Sequence, residues 1–179
     1  MFIQTEDTPN PETLKFLPGK VVMPSGTVDF PNSQSAQRSP LAQNIFKTQG
    51  IQRVFFGHNF ISVTKETNID WPTLKPMVLG KIMEHFMVHD SVQVQEEISE
   101  QVELSDIEKE IKELIETRIR PAVAMDGGDI VFHQFKDGIV TLEMRGACSN
   151  CPSSTATLKS GIENMLKHYI PEVQEVCAL

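Results

Sequence analysis

Residues 126–152 read DGGDIVFHQFKDGIVTLEMRGACSNCP, and this stretch indicates most of the fold of the second half of the chain. Two β-prone runs, 130–135 and 139–144, flank residues 136–138 (Lys-Asp-Gly), which is a hairpin signal. In the second run, apolar and polar residues alternate, as in a strand with one face buried. Its apolar positions are Val140, Leu142 and Met144.

The chemistry lies at the end of this stretch, where Cys148 and Cys151 stand three residues apart. They occupy the predicted turn between the second strand and a helix that begins at Pro152. Unpaired N–H groups at a helix N-terminus favour thiolate over thiol. Thiolate binds soft metals and iron–sulfur clusters. The pair therefore predicts a redox or metal-binding function.

The spacing alone leaves three chemistries open: a dithiol redox pair, half of a zinc site, or half of a cluster site. A structural zinc ion and a [4Fe–4S] cluster both need four protein ligands. Cys177, the remaining thiol, lies alone near the C-terminus and is interpreted as a strand residue. Two chains related by a two-fold axis, each giving Cys148 and Cys151, are the direct route to four thiolates.

Other residue groupings favour structural roles. His85 and His89 have the i, i+4 spacing of a zinc site, but no Glu stands at the required place between them, so we interpret them as helix-surface residues. Asp126 and Asp129 flank two glycines, which indicate a turn that needs positive φ rather than an acid–base pair. Phosphate-loop and nucleophile-elbow motifs are absent from the sequence. We therefore do not expect an enzyme.

The remaining elements predict an α+β fold in both halves. In the second half, Ser105 and Glu108 fit a helix capping box, Pro121 ends or kinks that helix, and a last helix covers residues 152–169. The inner face of this last helix is predicted to contain Leu158, Ile162, Met165, Leu166 and Tyr169.

In the first half, the runs 51–56 and 60–64 predict a second hairpin, and residues 24–40 predict a long loop. A helix is expected to begin at Trp71, with Asp70 as its cap. The inner face of this helix is predicted to contain Leu74, Met77, Val78, Ile82 and Phe86.

Charge divides the 179 residues into two parts. Residues 1–90 carry 8 basic and 8 acidic side chains, whereas residues 91–179 carry 8 and 16, so the whole net charge of -8 lies in the second part. We predict domains at 1–90 and 104–179, joined by an acidic linker at 91–103. The acidic balance argues against a nucleic-acid partner, the apolar runs are too short for a membrane span, and three cysteines favour a reducing compartment.

Two parts of the sequence resemble a known protein family. The motif at 125–129 (Met-Asp-Gly-Gly-Asp), the hairpin and the segment 146–154 are similar to the C-terminal domain of the NifU-like iron–sulfur scaffold proteins, over about residues 104–179. Residues 1–88 resemble the N-terminal domain of mitochondrial and alphaproteobacterial Nfu proteins. The residues that carry this likeness are Thr8-Pro9-Asn10-Pro11 and Leu14-Lys15-Phe16.

The resemblance implies an iron–sulfur scaffold or carrier with two small α+β domains. The C-terminal one would comprise a helix, a hairpin, the C-x-x-C turn, a helix and a short strand. Cys148 and Cys151 would be the ligands of a [4Fe–4S] cluster that bridges a homodimer. The implied partners are client apoproteins and upstream cluster assembly machinery.

A presequence is not visible, so we expect a bacterial cytoplasmic protein, with a mature mitochondrial matrix form as the alternative. The competing functions are a thiol–disulfide oxidoreductase and a structural zinc-binding module. Gly146 and Ala147, which have little or no side chain, are interpreted as room for a partner chain or a client.

Overall fold

The structure is a computed structural model that describes residues 1–95, 103–149 and 152–179, the last range without the side chains of residues 152–154. The chain divides into two compact units, Met1–Ile98 and Ser99–Leu179. Both units combine helices with a β-sheet, which confirms the predicted α+β class. None of the described helices is both long and apolar enough to cross a lipid bilayer.

The first unit contains a five-stranded antiparallel sheet. Its strands are β1 (Gln4–Asp7), β2 (Thr13–Leu17), β3 (Val28–Phe30), β4 (Ile51–Phe56) and β5 (Ile61–Lys65), in the order β1-β2-β5-β4-β3. Strands β4 and β5 pair as the predicted hairpin. Residues 24–40, predicted as a loop, include β3 and a 3₁₀ turn at Ser35–Arg38, because Val28–Phe30 pairs with β4 despite its polar flanks.

Helices α1 (Pro40–Phe46) and α2 (Trp71–Val88) complete the first core. Helix α2 begins after Asp70 as predicted, although the Asp70 side chain makes no capping hydrogen bond. The face predicted to be buried is buried except at Met77, which is 49% exposed. Leu74, Val78, Ile82 and Phe86 follow one line along the helix, and Met77 lies to one side of it.

The segment predicted as the start of the linker contacts the first unit. The side chain of Val92 is buried in the first core, and its N–H donates to the Val22 carbonyl at 3.3 Å. The Gln95 N–H donates to the Arg38 carbonyl at 3.0 Å. Residues 96–102 of the predicted linker lie outside the described residues, and the domain bounds remain predictions.

The second unit opens on a helical rod in three parts: α3 (Asp106–Leu114), a π-helical segment (Ile115–Ile119) and α4 (Arg120–Met125). Both hydrogen bonds of the predicted capping box between Ser105 and Glu108 are present. Pro121 does not end the rod, since α4 continues to Met125. The π-helical segment directly before it is where the regular α-helical pattern is lost.

The rest of the second unit is a three-stranded sheet and one long helix, α5 (Pro152–Tyr169). Strands β6 (Gly128–Lys136) and β7 (Ile139–Gly146) form the predicted hairpin, whose turn residues Asp137 and Gly138 have φ of 52° and 79°. Strand β8 (Glu175–Ala178) pairs with β7 in parallel, so α5 is the crossover between them.

The second core is as predicted for β7 and in part for α5. Val140, Leu142 and Met144 are buried, as are Ile162 and Leu166, whereas Leu158 and Met165 are only partly buried. Tyr169, predicted on the inner face, is 43% exposed, and its ring lies 5.0 Å from the Arg118 guanidinium carbon. An amphipathic tyrosine at a helix end packs its ring against a surface cation instead of entering the core.

Candidate functional site

The first predicted ligand, Cys148, lies in a tight turn directly after β7. Gly146 takes a left-handed φ of 62° and reverses the chain. The Ser149 N–H then donates to the Gly146 carbonyl at 3.1 Å, and the Ser149 hydroxyl donates to the Met144 carbonyl at 2.7 Å. Because these bonds tie the turn to the end of the strand, the backbone that carries Cys148 is held in place.

The structure gives a second reason for the small residues of this turn. Ala147 is 3% exposed and Cys148 is 6% exposed, so both pack within their own chain. Gly146 is required by its backbone conformation, which residues with a Cβ rarely adopt. The small size of Gly146 and Ala147 can therefore be explained by packing and backbone conformation within the chain, without a partner chain or a client at this turn.

The glycine pair at 127–128 lies against the cysteine turn. Gly127, with φ of 82°, forms the predicted positive-φ turn at the end of α4. Its carbonyl accepts a hydrogen bond from the Ala147 N–H at 3.2 Å. This bond joins two loops that are twenty residues apart in the sequence.

Gly128 has a different role from Gly127, because it allows close approach. A Cβ built on Gly128 would lie 2.5 Å from the Cys148 Sγ and 2.8 Å from the Arg145 carbonyl oxygen. Only a residue without a side chain fits there. The sulfur of Cys148 thus packs against the backbone at the start of β6. The sequence did not predict this contact, because it joins two segments that are twenty residues apart.

An ion pair fixes the chain just beyond Gly128. Arg120 donates to both carboxylate oxygens of Asp129, from Nε to Oδ1 at 2.7 Å and from Nη2 to Oδ2 at 2.8 Å. Asp129 is only 3% exposed, and its hydrogen bonds with Arg120 raise the pKa of that guanidinium. Asp126 is exposed, whereas Asp129 is buried in its pair with Arg120, so the two aspartates lie in different surroundings.

A second charged group lies on β7, on the opposite face of the strand from the core. Arg145 donates two 3.0 Å hydrogen bonds to the Glu143 carboxylate, and His133 Nε2 lies 3.0 Å from one of its oxygens. These hydrogen bonds hold the pKa of Glu143 below its usual range, and Arg145 has the largest effect. Burial of the carboxylate acts in the opposite direction. Alternation along β7 places Glu143 and Arg145 on one face, but the sequence did not show that His133 joins them.

The other candidate residues lie elsewhere. Cys177 lies in β8 opposite Thr141, as a strand residue. His85 and His89 lie in the first unit with ring centroids 4.8 Å apart, and burial lowers the pKa of His85. Within the described ranges, no three His, Cys, Asp or Glu side chains are grouped to hold a metal ion. Cys151, the second predicted ligand, lies outside the described residues.

Known proteins match both halves of the chain. The family model "Scaffold protein Nfu/NifU N terminal" matches residues 3–89, and "NifU-like domain" matches residues 111–177. The human protein named NFU1 iron-sulfur cluster scaffold homolog, mitochondrial, is 50% identical over 98% of this chain. The protein of the same name from Drosophila persimilis is 49% identical over 98% of the chain.

The chain spans 71% of the human relative and 64% of the Drosophila relative. Among solved structures, a NifU-like protein from Saccharomyces cerevisiae aligns with a TM-score of 0.49 at 25% identity. That alignment covers 54% of this chain and 87% of the yeast chain. Since both domain models match in order, and half of the residues are identical to a scaffold protein over nearly the whole chain, this chain belongs to the Nfu family of iron–sulfur cluster scaffold proteins.

Proposed function

We propose that two copies of this chain hold a [4Fe–4S] cluster between them and pass it to client apoproteins. The observation that carries the proposal is the placement of Cys148. Its turn is hydrogen-bonded to β7 and to the Gly127 carbonyl, and its sulfur packs against Gly128. Cys151, three residues on in the sequence, supplies the second thiol of each chain.

The donor set supports a cluster as the cargo. Cysteine thiolates are the usual ligands of iron–sulfur clusters, and four of them are needed. Each chain offers two at this turn, Cys148 and Cys151. A second copy related by a two-fold axis supplies the other two thiolates.

Transfer to a client would be a thiolate exchange. A client cysteine displaces Cys148 or Cys151 from an iron atom, so one Fe–S bond forms as another breaks and no electron is transferred. A client whose four thiolates are already in one site binds the cluster more tightly than two separate turns do. The direction of transfer then follows from preorganisation of the client.

The first test is anaerobic reconstitution with iron and sulfide, followed by gel filtration and metal analysis. We expect a brown species of dimer size with about two irons and two sulfides per chain, which is half of a four-iron cluster. Cys148→Ser and Cys151→Ser should each abolish the colour and the dimer. Cys177→Ser is the matched control and should leave both unchanged.

The second test is transfer. The loaded dimer is mixed with the apo form of a [4Fe–4S] protein, and circular dichroism in the visible range follows the cluster. We expect the client spectrum to appear and the carrier to return to a metal-free state. A colourless chain that binds zinc, or that only cycles between dithiol and disulfide, would contradict the cluster proposal.

The biological setting is also part of the proposal. The cluster would come from upstream assembly machinery, and the chain would act as a carrier rather than as an enzyme. We predict a bacterial cytoplasmic location, with the mitochondrial matrix as the alternative. The relatives named above are mitochondrial by name, which is consistent with the alternative.

A further inference from the structure

The exposed side of the helical rod changes character along its length. From α3 through the π-helical segment, every exposed residue is polar, and all but Thr117 are charged. These residues are Asp106, Lys109, Glu110, Lys112, Glu113, Glu116, Thr117 and Arg118. In α4 the exposed residues are Pro121, Ala122 and Met125, and none of them is charged, whereas Arg120 is partly buried in its pair with Asp129 and Asp126, directly after α4, is exposed and acidic.

Met125 is the most conspicuous of these, because its side chain is 77% exposed. Its neighbour Val123 points into the second core and is 3% exposed. Water-exposed positions of a surface helix are normally polar, as those of α3 are. We define the α4 face as Pro121, Ala122 and Met125.

The α4 face is directly connected to the cysteine turn. Helix α4 ends in the Gly127 turn, where the Gly127 N–H donates to the Ala124 carbonyl at 3.1 Å. The Gly127 carbonyl then accepts the Ala147 N–H, and Gly128 contacts the Cys148 sulfur. Met125 is therefore two residues from the backbone group that holds the cysteine turn.

From this placement we infer that the α4 face forms part of the contact between two copies of this chain in the cluster-loaded dimer. The inference rests on the proposed function. Thiolates of two chains that bind one small cluster bring the two turns close together, and whatever is fastened to each turn approaches the partner chain. An uncharged face can be buried there without the desolvation cost that a charged face carries.

The same contact has a second consequence for the cargo. Apolar side chains beside the turn exclude water and small chelators from the cluster. Charge also matters, because a cluster with four thiolates is anionic, and a further carboxylate next to that of Asp126 would add to the repulsion.

The test compares three variants of the full chain after reconstitution: Met125→Gln, Met125→Glu and Ala122→Glu. Sedimentation measures the dimer dissociation constant, and the rate of iron release to a chelator measures access to the cluster. Met125→Gln should raise the dissociation constant about tenfold, as expected for losing the burial of one apolar side chain. Both carboxylate variants should raise it further and speed iron release.

Met87→Glu is the matched control, because Met87 lies in the first unit and is also 77% exposed. It should leave both measurements unchanged. If the wild type forms the loaded dimer and Met125→Glu and Ala122→Glu form it equally well, the inference is wrong. If the wild type forms no loaded dimer, the proposed function itself fails.

Discussion

At the scale of single residues, two adjacent glycines at the cysteine turn have different physical roles. Gly127 supplies a φ of 82°, whereas Gly128 supplies the space that the Cys148 sulfur occupies. A sequence pattern of two glycines does not separate these roles. Only the contact with a turn twenty residues away shows that the second glycine makes room for the Cys148 sulfur.

Gly128→Ala should therefore destabilise the second unit by about 1–3 kcal/mol, the usual cost of overpacking. The new Cβ would meet both a sulfur atom and a backbone carbonyl oxygen, and the latter cannot move without disturbing β7. Chemical denaturation of the metal-free chain measures the change. We also expect weaker retention of the cluster, followed by its visible absorbance.

Gly161→Ala in α5 is the control for this prediction. A Cβ there meets no atom within 4 Å, and alanine is favoured over glycine in a helix. It should stabilise the chain by up to about 1 kcal/mol. Equal effects of the two substitutions would contradict the close-approach role of Gly128.

The Arg120–Asp129 pair leads to a second prediction at this scale. Arg120→Met leaves the Asp129 carboxylate buried without its bidentate partner, which should cost about 3–5 kcal/mol. Lys109→Met breaks an exposed pair with Asp106 and should cost less than about 1 kcal/mol. Urea titration of both variants checks the difference, and a small effect of Arg120→Met would mean that Asp129 finds another partner.

At the scale of elements, the capping box of α3 also contacts the hairpin. The Glu108 carboxylate accepts from the Ser105 N–H and hydroxyl, both at 2.8 Å, and from the Phe135 N–H in β6 at 3.4 Å. These bonds lower the pKa of Glu108, and the two bonds from Ser105 have the largest effect. One side chain thus starts a helix and binds a backbone N–H of β6.

A lowered carboxylate pKa has a definite sign in the stability of the fold. The stabilisation of the fold by the Glu108 carboxylate is complete above the unfolded-state pKa of about 4.3. It is lost as the pH falls through the lower pKa that Glu108 has in the folded state. Glu108→Gln should therefore destabilise the chain at pH 7, and the gap to the wild type should narrow below about pH 4. Glu110→Gln, on the exposed face of α3, is the control and should show little change.

The π-helical segment has two identifiable causes. Pro121 has no N–H, so the regular hydrogen bond to residue 117 cannot form. The Thr117 hydroxyl donates to the Glu113 carbonyl at 2.7 Å, which competes with the backbone pattern. Pro121, which the sequence predicts to end or kink the helix, instead follows this wider π-helical segment. The chain then continues as α4, whose exposed residues differ in character from those of α3.

At the scale of the whole molecule, each unit has its own core. Phe56 is fully buried in the first core and Leu142 in the second. Phe56→Ala should cost about 3–5 kcal/mol and Leu142→Ala about 2–5 kcal/mol, each confined to its own unit. Calorimetry of the full chain should show two transitions, with each variant lowering one of them. A shift of both transitions by either variant would show that the units unfold together.

Local patterns predicted much of this fold. The two hairpins, the start of α2, the capping box and the span of α5 follow from turn residues, caps and periodicity, which act over a few residues. Met77 and Tyr169 were predicted on buried faces and are exposed, because helical periodicity defines a stripe but not its width. Strand β3 was missed because its pairing with β4 comes from residues more than twenty positions away.

The sequence by itself determined the α+β class of both halves, the two hairpins, the cysteine pair and the family to which the chain belongs. Those features depend on residues close together in the chain or on motifs compared as a string. The tertiary structure decided which groups meet: Gly128 with the Cys148 sulfur, Gly127 with Ala147, and Glu108 with the edge of the hairpin. It also decided that the end of α4 lies beside the cysteine turn. Contacts between distant segments depend on how sheets and helices pack, and no local pattern encodes them.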